Sequence, residues 1–556
     1  MADINIIKET IQKLPYIHLA REFSQDDNGN ILGEFDIDTE AERPPLRWKL
    51  LILPSYPFRL NGQDSIKFTN ADLLEYSHIM EGGLLCLHTL SFPNEKQQLI
   101  ADFSHLKEWV EKYYLSDIKD EHYDHLVVNH GPIEKNYYTF QFTDIDYYFN
   151  VGDYGMISLK ELFLGINKDE HPIYNYCFHT IKSDQVYKSE VYHYKWNVQN
   201  YPKSYYGLYC FIGQQPATYG KFIITDYNQL NSYLDDIQLY YVYSAIRRAN
   251  KKNCINGLFP LFIGYRIPSG ANHWQALMLP ARNLPISGIK ERIPNSNETR
   301  WTGKFNKGMI QWAETINSSY DLFFGRGAFD SQLTNKKVLL LGVGAIGSIV
   351  AVALTRCGMR NISIFDFDTK HPENICRSEY NFITGVDLKI NELCRTLISI
   401  SPYINCNIEF NLDQGIKIGV SSPKQKEEIE NKLNEFDYIF DCTTDNSLMY
   451  CIDKFELKGR VINLSITNHA KELVCAFSPN IRTYVETMYT KILHNDTNDI
   501  FYPTGCWNPT FKASYNDIAS MVQFAMKNIV KMLIGEERLT SFYLSENDEG
   551  LKINRL

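Results

Sequence analysis

The chain has 556 residues, a length that suits two to four domains. It is rich in aromatics, with 37 Tyr and 31 Phe, so it can bury large cores and is not a disordered polypeptide. A net charge of −10 without a dense Lys/Arg stripe argues against nucleic acid as the main ligand, because phosphate neutralisation needs clustered cations.

The opening "MADINIIKETIQKLPYIHLAREF" carries Asp and Glu and has no apolar signal core. It is expected to form a helix and not a targeting segment, which points to a cytoplasmic protein. "ILGEFDID" (31–38) and "RWKLLILPSYPF" (47–58) read as strands. A loop-rich stretch follows around "EYSHIMEGGLLCLHTL" (75–90), and then "EKQQLIADFSHLKEWVEKYY" (95–114) repeats apolar residues near a 3.6 period and predicts a helix. Residues 1–125 are therefore expected to be an α+β domain.

Residues 126–320 differ. Short Tyr- and Phe-rich runs such as "YYTFQF", "VYHYKW", "YGLYCFI" and "KFIITDY" are split by Gly, Pro and Asn. They predict a β-rich middle domain, with a helical part near "YLDDIQLYYVYSAIRRANKK" (233–252). From 321 to 556 strand and helix patterns alternate, as in an α/β sheet.

"VLLLGVGAIGSIVAVALT" (338–355) is eighteen residues without a charge, nominally enough for a membrane helix. Gly342, Gly344 and Gly347 argue otherwise. An apolar strand, a G-x-G-x-x-G turn and an apolar helix open a nucleotide-binding βαβ unit, where backbone N–H groups meet phosphate at a helix N-terminus. No membrane association is expected. The next strand, "NISIFDFD", ends in Asp366 and Asp368, and an acid about 20 residues past the glycines suits a ribose hydroxyl pair. NAD and ATP both carry such a ribose, and a Rossmann-like sheet that binds nothing fits the glycines too.

"FDFDTKHPENICRSEYNF" separates these readings, because it resembles the signature of the ubiquitin-activating family that includes ThiF and MoeB. The matching residues are Asp366, Asp368, Asn374 and Arg377. Lys389 in "GVDLKINELCRTL" and the set Asp441, Asp445 and Asn446 in "FDYIFDCTTDN" continue the match, which covers roughly 321–535. The resemblance implies that a peptide C-terminal carboxylate is joined to AMP with release of pyrophosphate. It implies Arg377 and Lys389 on the phosphates, Asp366 on the ribose, Asn374 positioning the nucleotide and Asp445 holding Mg²⁺. The cations suit the task, since a carboxylate must approach an already negative phosphate. The family often takes a further Arg from a dimer partner, which implies a homodimer, with Arg326 in "LFFGRGAFD" a loose match.

Twelve cysteines are scattered with no C-x-x-C pair, so neither structural zinc nor a disulfide framework is expected. Two stand out. Cys506 lies in "FYPTGCWNPTF", among Gly, Pro and Trp, ahead of an apolar helix near 516–534. It resembles the mobile thioester-forming loop of bacterial family members, which implies a nucleophile that captures the acyl group. Cys442 and Cys376 are lesser candidates. Cys86 in "GGLLCL" follows a strand ending in Tyr-Pro-Phe and precedes a helix bearing Trp109, and this arrangement resembles a ubiquitin-conjugating enzyme over residues 1–120. His78 remains where that family has His-Pro-Asn, but Pro and Asn are missing. His78 or His88 is a candidate for proton removal from an attacking amine.

The order of domains resembles the fused activating–conjugating enzymes of bacterial antiphage (CBASS) operons. This implies a modifier protein, either a nucleotide cyclase or a ubiquitin-like protein, joined through its C-terminus to a target amine. The chain ends "NDEGLKINRL", without a terminal glycine, and is not expected to be its own modifier. Two other readings stay open. One is a peptide- or sulfur-carrier-adenylating enzyme with an inert N-terminal domain, and the other is a non-catalytic nucleotide- or NAD-binding scaffold.

Overall fold

A computed structural model describes residues 3–39, 43–60, 62–86, 92–116, 126–184, 190–198, 201, 203–248, 254–292, 299–493, 500–501 and 510–555. The opening segment is not one helix. A helix runs from Ile4 to Gln12, capped by the Asp3 carboxylate on the Asn5 N–H, and the chain then turns into the strand Ile17–Gln25. Pro15 is the reason, since it lacks an N–H and disfavours helical backbone at the residue before it. The strand continues an antiparallel meander with Ile31–Ile37, Leu46–Ile52 and Ile66–Thr69. The strand expected over 47–58 stops at Ile52, where Pro54 and Pro57 remove the N–H groups a ladder needs. The predicted helix forms as Glu95–Trp109 and continues through Val110–Leu115. Its Phe103 packs on Phe35 and Phe68, and Trp109 meets Trp48 edge-on, with all five rings buried.

The middle of the chain forms a nine-stranded sheet. Tyr137–Phe142 pairs on one side with Trp312–Asn317 and on the other with Pro172–Ser183, so the sheet closes on itself. Closure accounts for the aromatic content, because a barrel of this kind is filled by its inward-facing side chains. Phe140, Phe149, Phe178, Phe211, Phe262 and Trp274 fill it. The helix Asp236–Arg248 covers part of the outer face. Two expected strands are shorter than read. "KFIITDY" contributes only Phe222–Ile223 and "VYHYKW" only Val191–His193.

The C-terminal part is an eight-stranded sheet. Its first five strands are parallel, in the order Asn405–Ile408, Asn361–Phe365, Lys337–Leu341, Tyr438–Asp441, Arg460–Thr467. The strands Glu472–Phe477, Phe542–Asn547 and Gly550–Arg555 extend it antiparallel. Strand order reverses beside Lys337–Leu341, and in open α/β sheets ligands settle in the crevice at such a point. The uncharged eighteen-residue stretch divides into that strand, a turn and the helix Ala345–Arg356. No helix among the described residues is long and apolar enough to cross a membrane.

Tyr403 joins the barrel to this sheet. Its hydroxyl donates to the Ser318 carbonyl and accepts from Thr143 Oγ1 at 2.5 Å, while its ring contacts Tyr320, Phe324 and Trp196. The Lys221 ammonium, just before the strand Phe222–Ile223, donates to the Tyr76 carbonyl of the N-terminal segment.

Candidate nucleotide site

The strand Lys337–Leu341 runs straight into the glycine turn. Gly342 has φ +76°, and a Cβ there would press on Thr443 Cα at 2.9 Å. A Cβ on Gly347 would lie 2.0 Å from the Gly342 carbonyl, so that glycine lets the helix close on the strand. Gly344 has open space around its Cα and stands at the N-cap of Ala345–Arg356 with no side-chain cap. The first N–H groups of this twelve-residue helix therefore have no side chain to cap them, and the helix dipole favours an anion there.

A cavity of about 270 Å³ opens at this point. Gly342 and Gly344 form its floor, Asp366 and Asp368 follow the end of the neighbouring strand, and Thr443 and Thr444 lie in the loop after the strand across the reversal. Asn374, Arg377 and Lys389 enter from the chain excursion that leaves the sheet after Asp368 and returns at Lys389. The sequence thus spread over 342–389 is gathered at one opening.

Asp366 accepts the N–H groups of Val343 and Asp368, each at 2.8 Å. Burial pushes its carboxyl up, against the pull of Lys389. A carboxylate so placed gains from further donors, and vicinal hydroxyls supply them. Lys389 Nζ lies 2.8 Å from Asp368 Oδ2 and is nearly buried at 10% exposure. Asn374 Oδ1 accepts the His371 N–H at 2.9 Å, which fixes the orientation of its amide.

Asp445 stands just beyond the cavity wall. It caps helix Asn446–Ile452 by accepting from Ser447 and Leu448, and its second oxygen pairs with Lys417 at 2.6 Å. Asp441 is buried, accepts from Thr443 and from Asn463 Nδ2 at 2.9 Å, and so anchors the loop that carries Thr443 and Thr444. Among the described residues, no group of three His, Cys, Asp or Glu side chains is placed to hold a metal. Sequence reading missed Lys417 and Lys370, whose partners lie far along the chain. It also missed Tyr380, which lines the cavity and donates to the Val343 carbonyl. Arg326 lies apart, in a separate hollow beside the helix Tyr320–Phe324.

Cys86 belongs to a second location. Its N–H donates to the His78 carbonyl at 2.8 Å, and the strand-like contacts Thr69–Leu84 and Ile79–Leu85 hold the loop to the meander. Burial and the Asp64 carboxylate push its thiol up, and Arg59 pulls it down. His78 has φ +62°, and its Nε2 is 3.0 Å from the Tyr113 hydroxyl. Cys442 is buried with its thiol held well above the ordinary range, and Cys376 is exposed with its Sγ on the Glu373 carbonyl. Cys506 and His88 lie outside the described residues.

Residues 320–497 match the ThiF family. The chain is 24% identical over 282 residues to the ATP-dependent ubiquitin transferase-like protein Cap2 of Enterobacter hormaechei subsp. hoffmannii, a match covering 49% of this chain and 46% of that protein. It is 33% identical over 82 residues to ubiquitin-like modifier-activating enzyme 5 of Caenorhabditis elegans, covering 15% of this chain and 20% of that one. With the molybdopterin-synthase adenylyltransferase of Haemophilus influenzae it shares 24% identity over 162 residues, covering 28% and 62%. The chain therefore spans less than two thirds of the length of each of these relatives. Escherichia coli MccB solved with ATP superposes with a TM-score of 0.29 at 19% identity, over 40% of this chain and 64% of that one, too loosely to establish a shared fold. Residues 320–497 carry the match to the ThiF family, in a chain that resembles the ubiquitin transferase-like protein Cap2.

Proposed function

We propose that the chain is an ATP-dependent protein ligase built of a ubiquitin-conjugating-like domain (1–125), a β-rich middle domain (126–320) and a ThiF-like adenylation domain (321–556). The observation that carries this reading is the convergence of Arg377, Lys389, buried Asp366 and a helix N-terminus without a side-chain cap on one cavity. Hydride transfer needs no such pair of phosphate-facing cations.

In this reading the modifier's terminal carboxylate attacks the α-phosphorus of ATP and pyrophosphate leaves. Arg377 and Lys389 offset the negative charge that gathers as the bond forms. Asp366 accepts the ribose hydroxyls and Asn374 orients the nucleotide. Asp445 is the residue that would hold Mg²⁺, whose charge would help neutralise the phosphates. A single carboxylate beside a phosphate-binding cavity fits that ion, which takes one or two carboxylates and completes its shell with phosphate and water.

The Cys506 thiolate then attacks the adenylate carbonyl, forming a thioester and expelling AMP. Cys86 takes the acyl group by thioester exchange and releases the Cys506 thiol. A target amine attacks last, forming the amide, releasing the Cys86 thiol and giving up a proton, for which His78 or His88 is the candidate acceptor. The modifier is a nucleotide cyclase or ubiquitin-like protein of an antiphage operon, and the adenylation domain pairs with a second copy that brings its Arg326 to the site.

The test is ATP–pyrophosphate exchange supported by a peptide matching the modifier's C-terminus, followed by gel detection of a thiol-sensitive adduct. Cys506→Ala is expected to keep exchange and lose every thioester. Exchange without any adduct in the wild type favours a peptide- or sulfur-carrier-adenylating enzyme. Tight NAD binding without ATP binding overturns the reading.

A further inference from the structure

Lys370 and Glu392 carry opposite charges inside the protein. Their side chains are 2% and 1% exposed, and Lys370 Nζ lies 2.5 Å from Glu392 Oε2. Lys370 sits two residues past Asp368, and Glu392 lies in the first turn of the helix that Lys389 begins. The ammonium also donates to the Asn381 carbonyl and the Thr384 hydroxyl, each at 2.6 Å. Glu392 Oε1 accepts the Asn381 N–H at 2.7 Å, and the Lys370 N–H donates to the Asp387 carbonyl at 2.8 Å. Burial alone raises the Glu392 carboxyl, but the Lys370 ammonium and the Asn381 and Thr384 donors outweigh it and hold it below its ordinary value.

One charged pair therefore ties the start, the far turn and the end of the excursion 368–389. That excursion carries Asn374, Arg377 and Lys389 to the cavity. It also presents Phe382, Ile383 and Val386 largely exposed, so apolar packing does little to hold its far turn. A buried ion pair is a weak source of stability, because desolvation of both charges offsets their attraction and an apolar pair of similar size serves as well. An apolar pair cannot bind the Asn381 and Thr384 groups, whereas the directed hydrogen bonds from Lys370 and to Glu392 Oε1 hold those groups in one geometry.

From this we infer that Lys370 and Glu392 are positioning residues, which set where Arg377 and Lys389 stand around the bound nucleotide. The inference rests on the adenylation reading above for what those two cations do, but the fixing of the excursion is a property of the chain alone.

The experiment uses the full-length chain and the paired variant Lys370→Met/Glu392→Leu, which removes both charges together. The paired variant is expected to melt near the wild-type temperature. Hydrogen exchange over 371–388 without nucleotide should be faster than in the wild type. The kcat of ATP–pyrophosphate exchange should fall about 100-fold, the scale of an ångström's misplacement of a reacting group, with a much smaller change in KM for ATP. Glu392→Gln keeps an acceptor for Asn381 and Lys370 and should fall between the two; it carries the same measurements should the paired variant fail to fold. Wild-type hydrogen exchange over 371–388 overturns the inference, and so does a lowered melting temperature with unchanged kcat per folded molecule. A wild type without any pyrophosphate exchange refutes the adenylation reading instead, and the hydrogen-exchange comparison still decides whether the pair fixes the excursion.

Discussion

Lys417 Nζ sits 2.6 Å from Asp445 Oδ2, while Asp445 Oδ1 is taken by the N–H groups of Ser447 and Leu448. Lysine thus holds the one oxygen that a divalent cation would need. Burial pushes the Asp445 carboxyl up, but Lys417 and the two helix N–H groups outweigh it and keep it below the ordinary value. A carboxyl lowered in the folded state contributes stability above its unfolded pKa and loses it only as pH falls through the folded value. The pair is therefore fully formed across pH 6–8. Lys417→Met should lower the Mg²⁺ concentration for half-maximal exchange by about two- to fivefold, the scale of a half-exposed ion pair. Asp445→Ala should cut exchange by about 100-fold or more, as for other lost transition-state contacts. A Mg²⁺ titration that does not move in Lys417→Met removes the competition.

Two glycines of the turn make a sharper contrast. Gly347→Ala sets a methyl 2.0 Å from the Gly342 carbonyl, so helix and strand must part, at a cost of about 1–3 kcal/mol. Gly344→Ala meets nothing within 4 Å and should leave the melting temperature unchanged. Gly344 lines the cavity at the N-cap of the helix, so an added methyl should crowd the bound phosphate and ATP affinity should fall by about tenfold or more, the weight of one or two lost phosphate contacts. Calorimetric binding beside thermal melts separates the two effects. Equal loss of stability in both variants refutes the assignment.

Local pattern made the glycine turn and the strand end at Asp366 legible, while Asn374, Arg377 and Lys389 were read from the resemblance of their motif to the ubiquitin-activating family; Arg377 lies in the turn after the helix Pro372–Ile375, where no local periodicity marks it. It did not reveal Lys370–Glu392 or Lys417–Asp445. Those pairs form between separate elements, and nothing near Lys417 in sequence points to an acid 28 residues away. Closure of the barrel was hidden for the same reason: the pairing of Tyr137–Phe142 with Pro172–Ser183 depends on register between distant runs, not on the runs themselves. The opening helix was read too long because its Asp and Glu and the lack of an apolar signal core only separate a helix from a targeting segment, and do not show where the helix stops; Ile17 and Leu19, two residues apart, already follow a strand period past Pro15. There the backbone restriction at proline outweighs the pattern. The loop of Cys506 lies outside the described residues, so its part in the site stands on sequence resemblance.

Tyr403 offers a test of how the barrel is fixed to the C-terminal sheet. Tyr403→Phe keeps the ring contacts and removes only the hydroxyl, leaving the Ser318 carbonyl and the Thr143 hydroxyl without it. Loss of a buried donor or acceptor costs about 1–3 kcal/mol. Denaturant titration should show that loss in the transition that reports on the barrel. An unchanged midpoint means that water replaces the hydroxyl and that the joint is looser than its geometry.

Cys86 gives a prediction whose sign follows from its surroundings. Burial is the largest influence raising its thiol, Asp64 adds to it, and Arg59 works against both. The attacking species is the thiolate, so at neutral pH less of Cys86 is reactive than of an ordinary exposed thiol. Transfer from the Cys506 thioester should therefore speed up about tenfold per pH unit between pH 7 and 8, with no plateau below the ordinary thiol range. Arg59 Nε lies 2.6 Å from Asp64 Oδ1, so Asp64→Asn removes a repelling charge and also releases the guanidinium from its partner. Transfer at pH 7 should rise by about two- to fivefold, a fraction of a pKa unit, because burial remains. Arg59→Ala should slow it. Single-turnover transfer from preloaded enzyme measures all three, with Cys86→Ala as the reference that keeps the first thioester and makes no conjugate. A conjugate yield in Cys86→Ala equal to wild type ends the relay and leaves Cys506 to acylate the target directly.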